Sequence, residues 1–336
     1  GGLKVSNVIW PEQAVTDYLI KLVEFPGALQ VLEFAGGRVI LMALRALAGS
    51  PLVGHPIRDL RVHIPNVNAR IVAIFRKNRA VECHGNTPVE AGDEVFVLSD
   101  SRDARLVSNE LRQRDKPVRR VMLAGGGNIG LRVARALETG EGLNTAERFN
   151  VRVVERNRGR CQELARQLSP DTLVLNGDIT DEDLLEEEGI ADTDLFMALT
   201  NDDESNIMSA LLAKKMGARR VIALINRRSY GELMQGGAID IAVSPSHATL
   251  SELLKHVRRG DVVAAHSLRR GAAEALELVA HGDAKNSKVV GRRVEEIDLP
   301  KGAMIGAIVR GSGDAALVLP ANHDRVIEAG DHVLVF

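Results

Sequence analysis

The sequence has few of the residues on which several functional classes depend. It contains 2 cysteines, Cys83 and Cys161, which are far apart and match no metal-binding or redox spacing. No apolar run approaches the roughly 18–20 residues of a membrane-spanning helix, and no secretory signal is visible. The net charge of -2 provides no general attraction to nucleic acid. This composition favours a reduced, soluble globular protein without a nucleic-acid partner.

The histidines and acidic clusters do not form a recognisable metal site. The 9 histidines include no H-E-x-x-H pair, and the acidic clusters at 186–188 and 202–204 stand in no D-x-D-x-D-G loop. The second cluster precedes a helical pattern, and acids favour a helix N-terminus, so we expect it to cap that helix. We therefore predict no metal site, and a divalent-cation role for the 202–204 cluster is the alternative.

The most informative stretch is an apolar run that meets the glycine pattern G-x-G-x-x-G, with helical periodicity behind it. This order predicts a strand, a tight turn and a helix. Gly125 would permit the sharp turn, Gly127 would leave room for a pyrophosphate, and Gly130 would let the helix approach its strand. The N–H groups of the helix start would face the phosphates. The predicted phosphate loop is Gly125, Gly126, Gly127, Asn128, Ile129 and Gly130.

A second apolar run ends in Glu155, at the position where an acid usually accepts hydrogen bonds from the adenosine ribose. The gap from the last glycine exceeds the usual spacing of about twenty residues, and we predict an enlarged loop at 139–150. An acid here repels a 2′-phosphate, so NAD(H) is expected rather than NADP(H). Arg156 could approach such a phosphate or be an ordinary exposed arginine. The alternative for the whole pattern is a glycine turn in a domain that binds no nucleotide.

Strand and helix patterns alternate through the rest of this region. The alternation predicts a Rossmann-like doubly wound parallel sheet, whose ligands bind at the carboxyl ends of the strands. Thr200 and Asn201 end the fourth strand at that edge, and Arg227 follows the fifth, where it could meet a phosphate or be exposed. The predicted strands are 121–124, 151–155, 173–175, 195–199, 221–225 and 241–243.

The end of the chain repeats an earlier segment. VEAGDEVFVL at 89–98 reappears 238 positions later as IEAGDHVLVF at 327–336, and both surroundings are β-rich. A helix at about 11–23 and a hairpin around Gly36-Gly37 precede the first copy. A duplication of one nucleotide domain plus one small β-rich domain explains this pattern. We therefore expect the chain to be an N-terminally truncated fragment whose first glycine-rich domain lies before residue 1.

This order of domains resembles the RCK or KTN domain family, which regulates potassium channels and transporters. The resemblance covers nearly the whole chain, although the 139–150 loop departs from the family pattern. The specific motifs are RVMLAGGGNIG (120–130), VERN (154–157), GDIT (177–180) and ALTNDDESN (198–206). The resemblance implies that Asp178 and Ile179 flank the adenine. The alternative for these two residues is a plain turn after a strand.

The resemblance also implies a domain order: the end of a first nucleotide domain (1–50), a first small α+β C-terminal domain (51–100), a linker (101–117), a second nucleotide domain (118–245), a helix and hairpin crossover (246–285) and a second small C-terminal domain (286–336). It implies a cytoplasmic regulator, peripheral on the inner face of the membrane, that binds NAD(H), with ATP or ADP as further candidates. Its implied partners are a membrane potassium-translocating subunit of the TrkH or TrkG type and further copies of itself, as a dimer or tetrameric ring.

An NAD-dependent oxidoreductase is the competing prediction. Such an enzyme needs a proton donor beside the nicotinamide and a substrate pocket. Tyr230 and the pair at 227–228 are the nearest candidates, and no third group converges on them in the sequence. A duplicated nucleotide domain also suits a sensor better than a catalyst. We therefore predict a regulator without catalytic residues.

Overall fold

The computed structural model of the protein describes residues 11–113, 115–234, 237–246, 248, 262–268 and 273–336. These residues form two compact units. The sequence also predicts a short strand near residue 7 and a helix at 245–260. The strand and most of this helix lie outside the described residues. No helix within the described ranges is long and apolar enough to cross a membrane.

The helices and strands follow the predicted order along the chain. The first part contains α1 (Pro11–Glu24), β1 (Ala28–Phe34), β2 (Val39–Arg45), α2 (Asp59–His63), β3 (Ala69–Arg76), β4 (Arg79–Val81), β5 (Glu94–Asp100) and α3 (Ala104–Leu111). The middle part contains β6 (Arg120–Ala124), α4 (Asn128–Thr139), β7 (Asn150–Glu155), α5 (Arg158–Gln167), β8 (Leu173–Asn176), α6 (Glu182–Glu187), β9 (Leu195–Ala198), α7 (Asp203–Lys215), β10 (Val221–Leu224), α8 (Arg228–Met234) and β11 (Ile241–Val243). The last part contains β12 (Val262–Leu268), β13 (Ala273–Val279), β14 (Ile305–Arg310), β15 (Leu317–Pro320) and β16 (His332–Val335).

The first unit is built on a six-stranded parallel sheet with the order β11-β10-β9-β6-β7-β8. Counted from β6 along the chain, this is the 3-2-1-4-5-6 order of the doubly wound fold. Every residue of β9 and β10 is buried, because helices cover both faces of such a sheet. The predicted Rossmann-like fold is confirmed.

Helix α1 also belongs to this unit, where it packs against α4. Its buried residues recur at helical spacing and include Val15, Leu19 and Leu22. The C-terminus of α4 is capped by Gly140, which adopts φ +74° in the left-handed region that favours glycine. Residues 140–149 contain no helix or strand, as expected for an enlarged loop.

The second unit contains two five-stranded antiparallel sheets with equivalent strand orders, β1-β2-β5-β3-β4 and β12-β13-β16-β14-β15. The equivalence agrees with the internal repeat read from the sequence. Each sheet begins with a hairpin, β1-β2 in the first and β12-β13 in the second. The hairpin joins the later strands of its sheet by hydrogen bonds, because β2 pairs with β5 and β13 pairs with β16. This pairing was not anticipated, since the two partners are separated in sequence by a loop-rich segment.

Side chains of the first sheet reach the main chain of the second within this unit. Asn68 Nδ2 donates to the carbonyl oxygen of Val318 at 2.7 Å, and Arg70 Nη1 donates to that of Ile305 at 2.9 Å. Burial lowers the pKa of Arg70 from its ordinary value, with a smaller contribution from Arg61. The two repeats are also joined by aromatic packing, because the rings of Phe34 and Phe336 lie 6.3 Å apart in an edge-to-face arrangement.

Candidate nucleotide-binding site

The glycine loop joins β6 to α4 at the carboxyl edge of the parallel sheet. Gly125 has φ +111°, and a Cβ there would lie 2.9 Å from Thr200 Cγ2. A Cβ on Gly130 would collide with the carbonyl oxygen of Gly125. The first glycine therefore permits the turn and the third permits the close approach of helix and strand.

Gly127 has a different environment from its neighbours. A Cβ at this position would meet no heavy atom within 4 Å, so the space in front of the helix start is open. Gly127 is the N-cap of α4 and provides no side chain to satisfy the first N–H groups of the helix. These donors and the helix dipole make the open space suited to an anion such as a pyrophosphate.

Glu155 ends β7 and is hydrogen-bonded to the glycine loop. Its Oε2 accepts from the backbone N–H of Gly126, and its Oε1 accepts from that of Asn157, both at 2.8 Å. A carboxylate has about four acceptor positions, so each oxygen can accept a second donor. The half-buried Glu155 can therefore hold the loop and still accept from ribose hydroxyl groups.

Arg160, in α5, is a contact of the loop that the sequence analysis missed. Its Nε donates to the carbonyl oxygen of Gly126 at 2.7 Å, and its Nη1 donates to Glu163 at 2.9 Å. Its buried Nη2 has no hydrogen-bond partner among the residues that the structure describes. The position had no signal in sequence because it lies beyond the VERN motif, in a helix rich in exposed polar residues. Arg156, by contrast, is exposed.

Asp178 and Ile179 follow β8, but their side chains have different surroundings. Asp178 is exposed, and its Oδ1 accepts from Thr180 Oγ1 at 2.7 Å and Thr180 N at 2.8 Å. These bonds hold the pKa of Asp178 below its usual value, with a smaller contribution from the charge of Arg156. Ile179 is 9% exposed and packs in the hydrophobic core of the sheet. Only the first of these two side chains is therefore available at the edge.

The end of β9 is held by Asn206, another residue that the sequence analysis missed. Its Oδ1 accepts from Thr200 N at 3.0 Å and Thr200 Oγ1 at 2.6 Å. Its Nδ2 donates to the carbonyl oxygens of Thr200 and Leu224, both at 2.9 Å. The fully buried amide thus ties the ends of β9 and β10 together. Asn201, next to this clamp, is exposed.

The first two acids at the start of α7 have separate roles. Asp202 caps the helix by accepting from Ser205 N at 2.8 Å, and its bonds to Ser205 lower its pKa. Asp203 is buried and accepts from Asn226 N at 2.9 Å and Arg227 N at 2.8 Å. The expected capping role is therefore performed by the first acid, while the second fixes the turn after β10.

Arg227 points its guanidinium at neighbours on the same edge. Its Nη1 donates to Glu204 Oε1 at 3.2 Å and to the hydroxyl oxygen of Tyr230 at 3.0 Å. The guanidinium carbon also lies 5.1 Å from the centre of the Tyr230 ring. A phosphate would have to compete with these exposed contacts. No group of three or more His, Cys, Asp or Glu side chains suited to a metal occurs within the described residues.

Models of two protein families match this chain. The TrkA-N domain matches residues 121–245, which contain the parallel sheet. The TrkA-C domain matches residues 41–112 and 283–336, which fall in the two antiparallel sheets. The two matches to one model agree with the internal repeat.

Relatives share the whole length of this chain. The Trk system potassium uptake protein TrkA of Halomonas elongata is 54% identical over 332 residues, covering 99% of this chain and 70% of that protein. The protein of the same name from Vibrio alginolyticus is 49% identical over 336 residues, covering 100% and 70%. Among solved structures, the GsuK RCK domain matches with a TM-score of 0.52 and 18% identity, over 98% of this chain and 67% of that one. This last likeness concerns the fold alone.

Proposed function

The chain belongs to the TrkA family of Trk system potassium uptake proteins, and we propose that it regulates potassium uptake by binding a nucleotide at the carboxyl edge of its parallel sheet. The observation that carries the proposal is the open, uncapped start of α4 at Gly127. Glu155 lies beside it, hydrogen-bonded to Gly126 and able to accept further donors.

NAD(H) is the proposed ligand, and ATP or ADP are the alternatives. The pyrophosphate would lie against the N–H groups of Gly127, Asn128 and Ile129, and the adenosine ribose against Glu155. Asp178 would lie beside the adenine, with Ile179 behind it in the core. Thr200, Asn201 and Arg227 would face the remainder of the ligand, while Arg156 would remain in solvent.

The proposed partner is a membrane potassium-translocating subunit of the TrkH or TrkG type. The protein would act from the cytoplasmic face as a homo-oligomer, a dimer or a tetrameric ring. A ligand can shift the balance between two arrangements of such an assembly only by its differential affinity for them. Coupling energies of about 1–3 kcal/mol correspond to roughly 5- to 150-fold changes in affinity.

The oxidoreductase alternative receives no specific support at this edge. A proton donor would have to lie free beside the nicotinamide. The hydroxyl group of Tyr230 instead donates to Glu204 at 3.1 Å and accepts from Arg227. These contacts account for Tyr230 and Arg227, and Arg228 Nε donates to Glu232 Oε1 at 2.9 Å.

Calorimetry of the whole chain with NAD, NADH, ADP and ATP tests the proposal directly. We expect saturable binding of at least NAD(H), and no binding of any nucleotide would refute it. Following NADH absorbance at 340 nm with candidate substrates tests the alternative, because turnover would establish an oxidoreductase.

In cells, loss of the full-length protein should impair potassium uptake at low external potassium, and a full-length Gly127→Val, Glu155→Ala variant should lose nucleotide control through this domain.

A further inference from the structure

A carboxylate from α1 lies against the first residue of α4. Glu12 Oε1 accepts a hydrogen bond of 3.0 Å from Asn128 Nδ2, and Asn128 is the first residue of α4. The contact continues one turn further along, where Arg132 Nη1 donates to Gln13 Oε1 at 2.7 Å. Both helices belong to the same unit. The contact joins residues 116 positions apart in sequence, and it places a negative charge beside the first residue of the helix that borders the proposed phosphate site.

The charges around this helix start make the contact significant. The first turn of α4 contains no acidic residue of its own, and Gly127 provides no capping side chain. Glu12 contacts the side-chain amide of Asn128, so its charge and that of a phosphate bound at the backbone N–H groups would lie in the same positive potential of the helix N-terminus. Two negative groups that use one positive potential repel each other, so Glu12 opposes binding of the anion.

Arg132 reduces this effect without cancelling it. Its Nη2 lies 4.0 Å from Glu12 Oε2, and the two side chains are 36% and 38% exposed. An ion pair of this length and exposure is weak. The carboxylate contacts Asn128 directly, whereas the guanidinium belongs to the following turn of the helix. Arg132 therefore offsets the charge of Glu12 only in part, and Arg160 donates to Gly126 rather than to that carboxylate.

We propose that Glu12 is a specificity-determining residue of the nucleotide site, one that favours a dinucleotide over nucleotides with more highly charged phosphates. The inference rests on the proposed nucleotide-binding function. The repulsion grows with the charge of the ligand, which is about two negative charges for the pyrophosphate of NAD, about three for ADP and about four for ATP. Glu12 thus weakens ATP binding more than NAD binding.

The test is calorimetry of the whole chain with NAD, ADP and ATP, comparing the parent with Glu12→Gln. Glutamine keeps the oxygen that accepts from Asn128 and removes only the charge. We expect NAD to bind roughly two- to fivefold more tightly to the variant, ADP and ATP to gain more, and all gains to shrink at high salt.

Asp17→Asn is the matched control, because it removes the same charge from an exposed position of the same helix. Asp17 Oδ1 accepts from Gln13 Nε2 at 2.7 Å, a bond that asparagine can keep. We expect its nucleotide affinities to stay within about twofold of the parent, since its charge is further along α1 and screened by solvent.

The outcomes separate the proposed nucleotide-binding function from the proposed role of Glu12. A parent that binds none of the three nucleotides would refute the proposed function and this inference together. A parent that binds them, with unchanged affinities in Glu12→Gln, would refute the role of Glu12 and leave the nucleotide site standing. An equal gain for all three ligands would also refute the selectivity, because electrostatic repulsion must increase with ligand charge. Circular dichroism of each variant establishes that the fold is retained.

Discussion

Arg310 and the buried Asp331 form a two-point ion pair in which Nε donates to Oδ1 and Nη2 to Oδ2, both at 2.9 Å. The first copy of the repeat contains the same arrangement, because Arg76 donates to Asp93 through the same atoms at 2.8 Å. In both copies the aspartate also accepts from the backbone N–H of the residue three positions earlier at 2.9 Å. The repeated E-A-G-D sequence therefore builds a turn around a buried, paired aspartate.

Replacing Asp331 with Asn should destabilise the second unit. The variant keeps the shape of the side chain but loses the charge and one acceptor, leaving Arg310 partly unpaired. We expect a loss of about 2–4 kcal/mol in the free energy of unfolding, measured by urea denaturation. Glu328→Gln is the control, since it weakens an exposed contact of the same arginine and should cost less than about 1 kcal/mol. Equal effects of the two changes would contradict a structural role specific to the buried aspartate.

Two substitutions in the glycine loop should separate binding from folding. Gly127→Val places a side chain in the open space that the pyrophosphate would occupy, so nucleotide binding should be abolished. The side chain meets no protein atom there, so the melting temperature should change little. Gly130→Ala forces a Cβ against the carbonyl oxygen of Gly125 and should cost about 1–3 kcal/mol of stability. Calorimetry with NADH and thermal melts measure both quantities. Undiminished affinity in Gly127→Val would place the ligand elsewhere.

The charge of Glu155 should determine which dinucleotide binds. A carboxylate beside the ribose repels a 2′-phosphate, so NADH should bind more tightly than NADPH, and Glu155→Gln should reduce that preference. The glutamine also loses one acceptor of the Gly126 and Asn157 N–H groups. For this reason the ratio of the two affinities is the informative measurement, rather than either affinity alone. Equal or inverted affinities in the parent would assign the dominant role to Arg156.

Removal of the buried amide of Asn206 should loosen the edge of the sheet. Asn206→Ala leaves Thr200 and the carbonyl oxygen of Leu224 without their partner, and we expect a loss of about 2–4 kcal/mol in unfolding free energy. Asn201→Ala, at an exposed neighbouring position, should change stability by less than about 0.5 kcal/mol. Similar unfolding midpoints for the two variants would show that the clamp contributes little.

Local patterns were sufficient for the strand–turn–helix at Gly125 and for the parallel sheet. A fully buried strand needs a continuous apolar run, and a strand end needs a turn, so both leave a signal within a few residues. The repeat was also visible, because duplication preserves sequence order. Arg160 and Asn206 were missed, since each acts on backbone groups of a neighbouring element. Arg160 lies outside any motif, and the 198–206 motif that contains Asn206 does not reveal which strand ends its amide joins.

The sequence by itself determined the fold class, the repeated architecture and the position of the glycine loop, because each depends on periodicity or on residue types that only one local conformation accommodates. Tertiary structure alone decided that Glu155 accepts a hydrogen bond from Gly126 and that Glu12 accepts one from Asn128. It also decided that Ile179 packs into the core beside the exposed Asp178. The physical reason is that these are distance relations between side chains on different elements. Their energies depend on three-dimensional proximity, and no spacing along one chain encodes them.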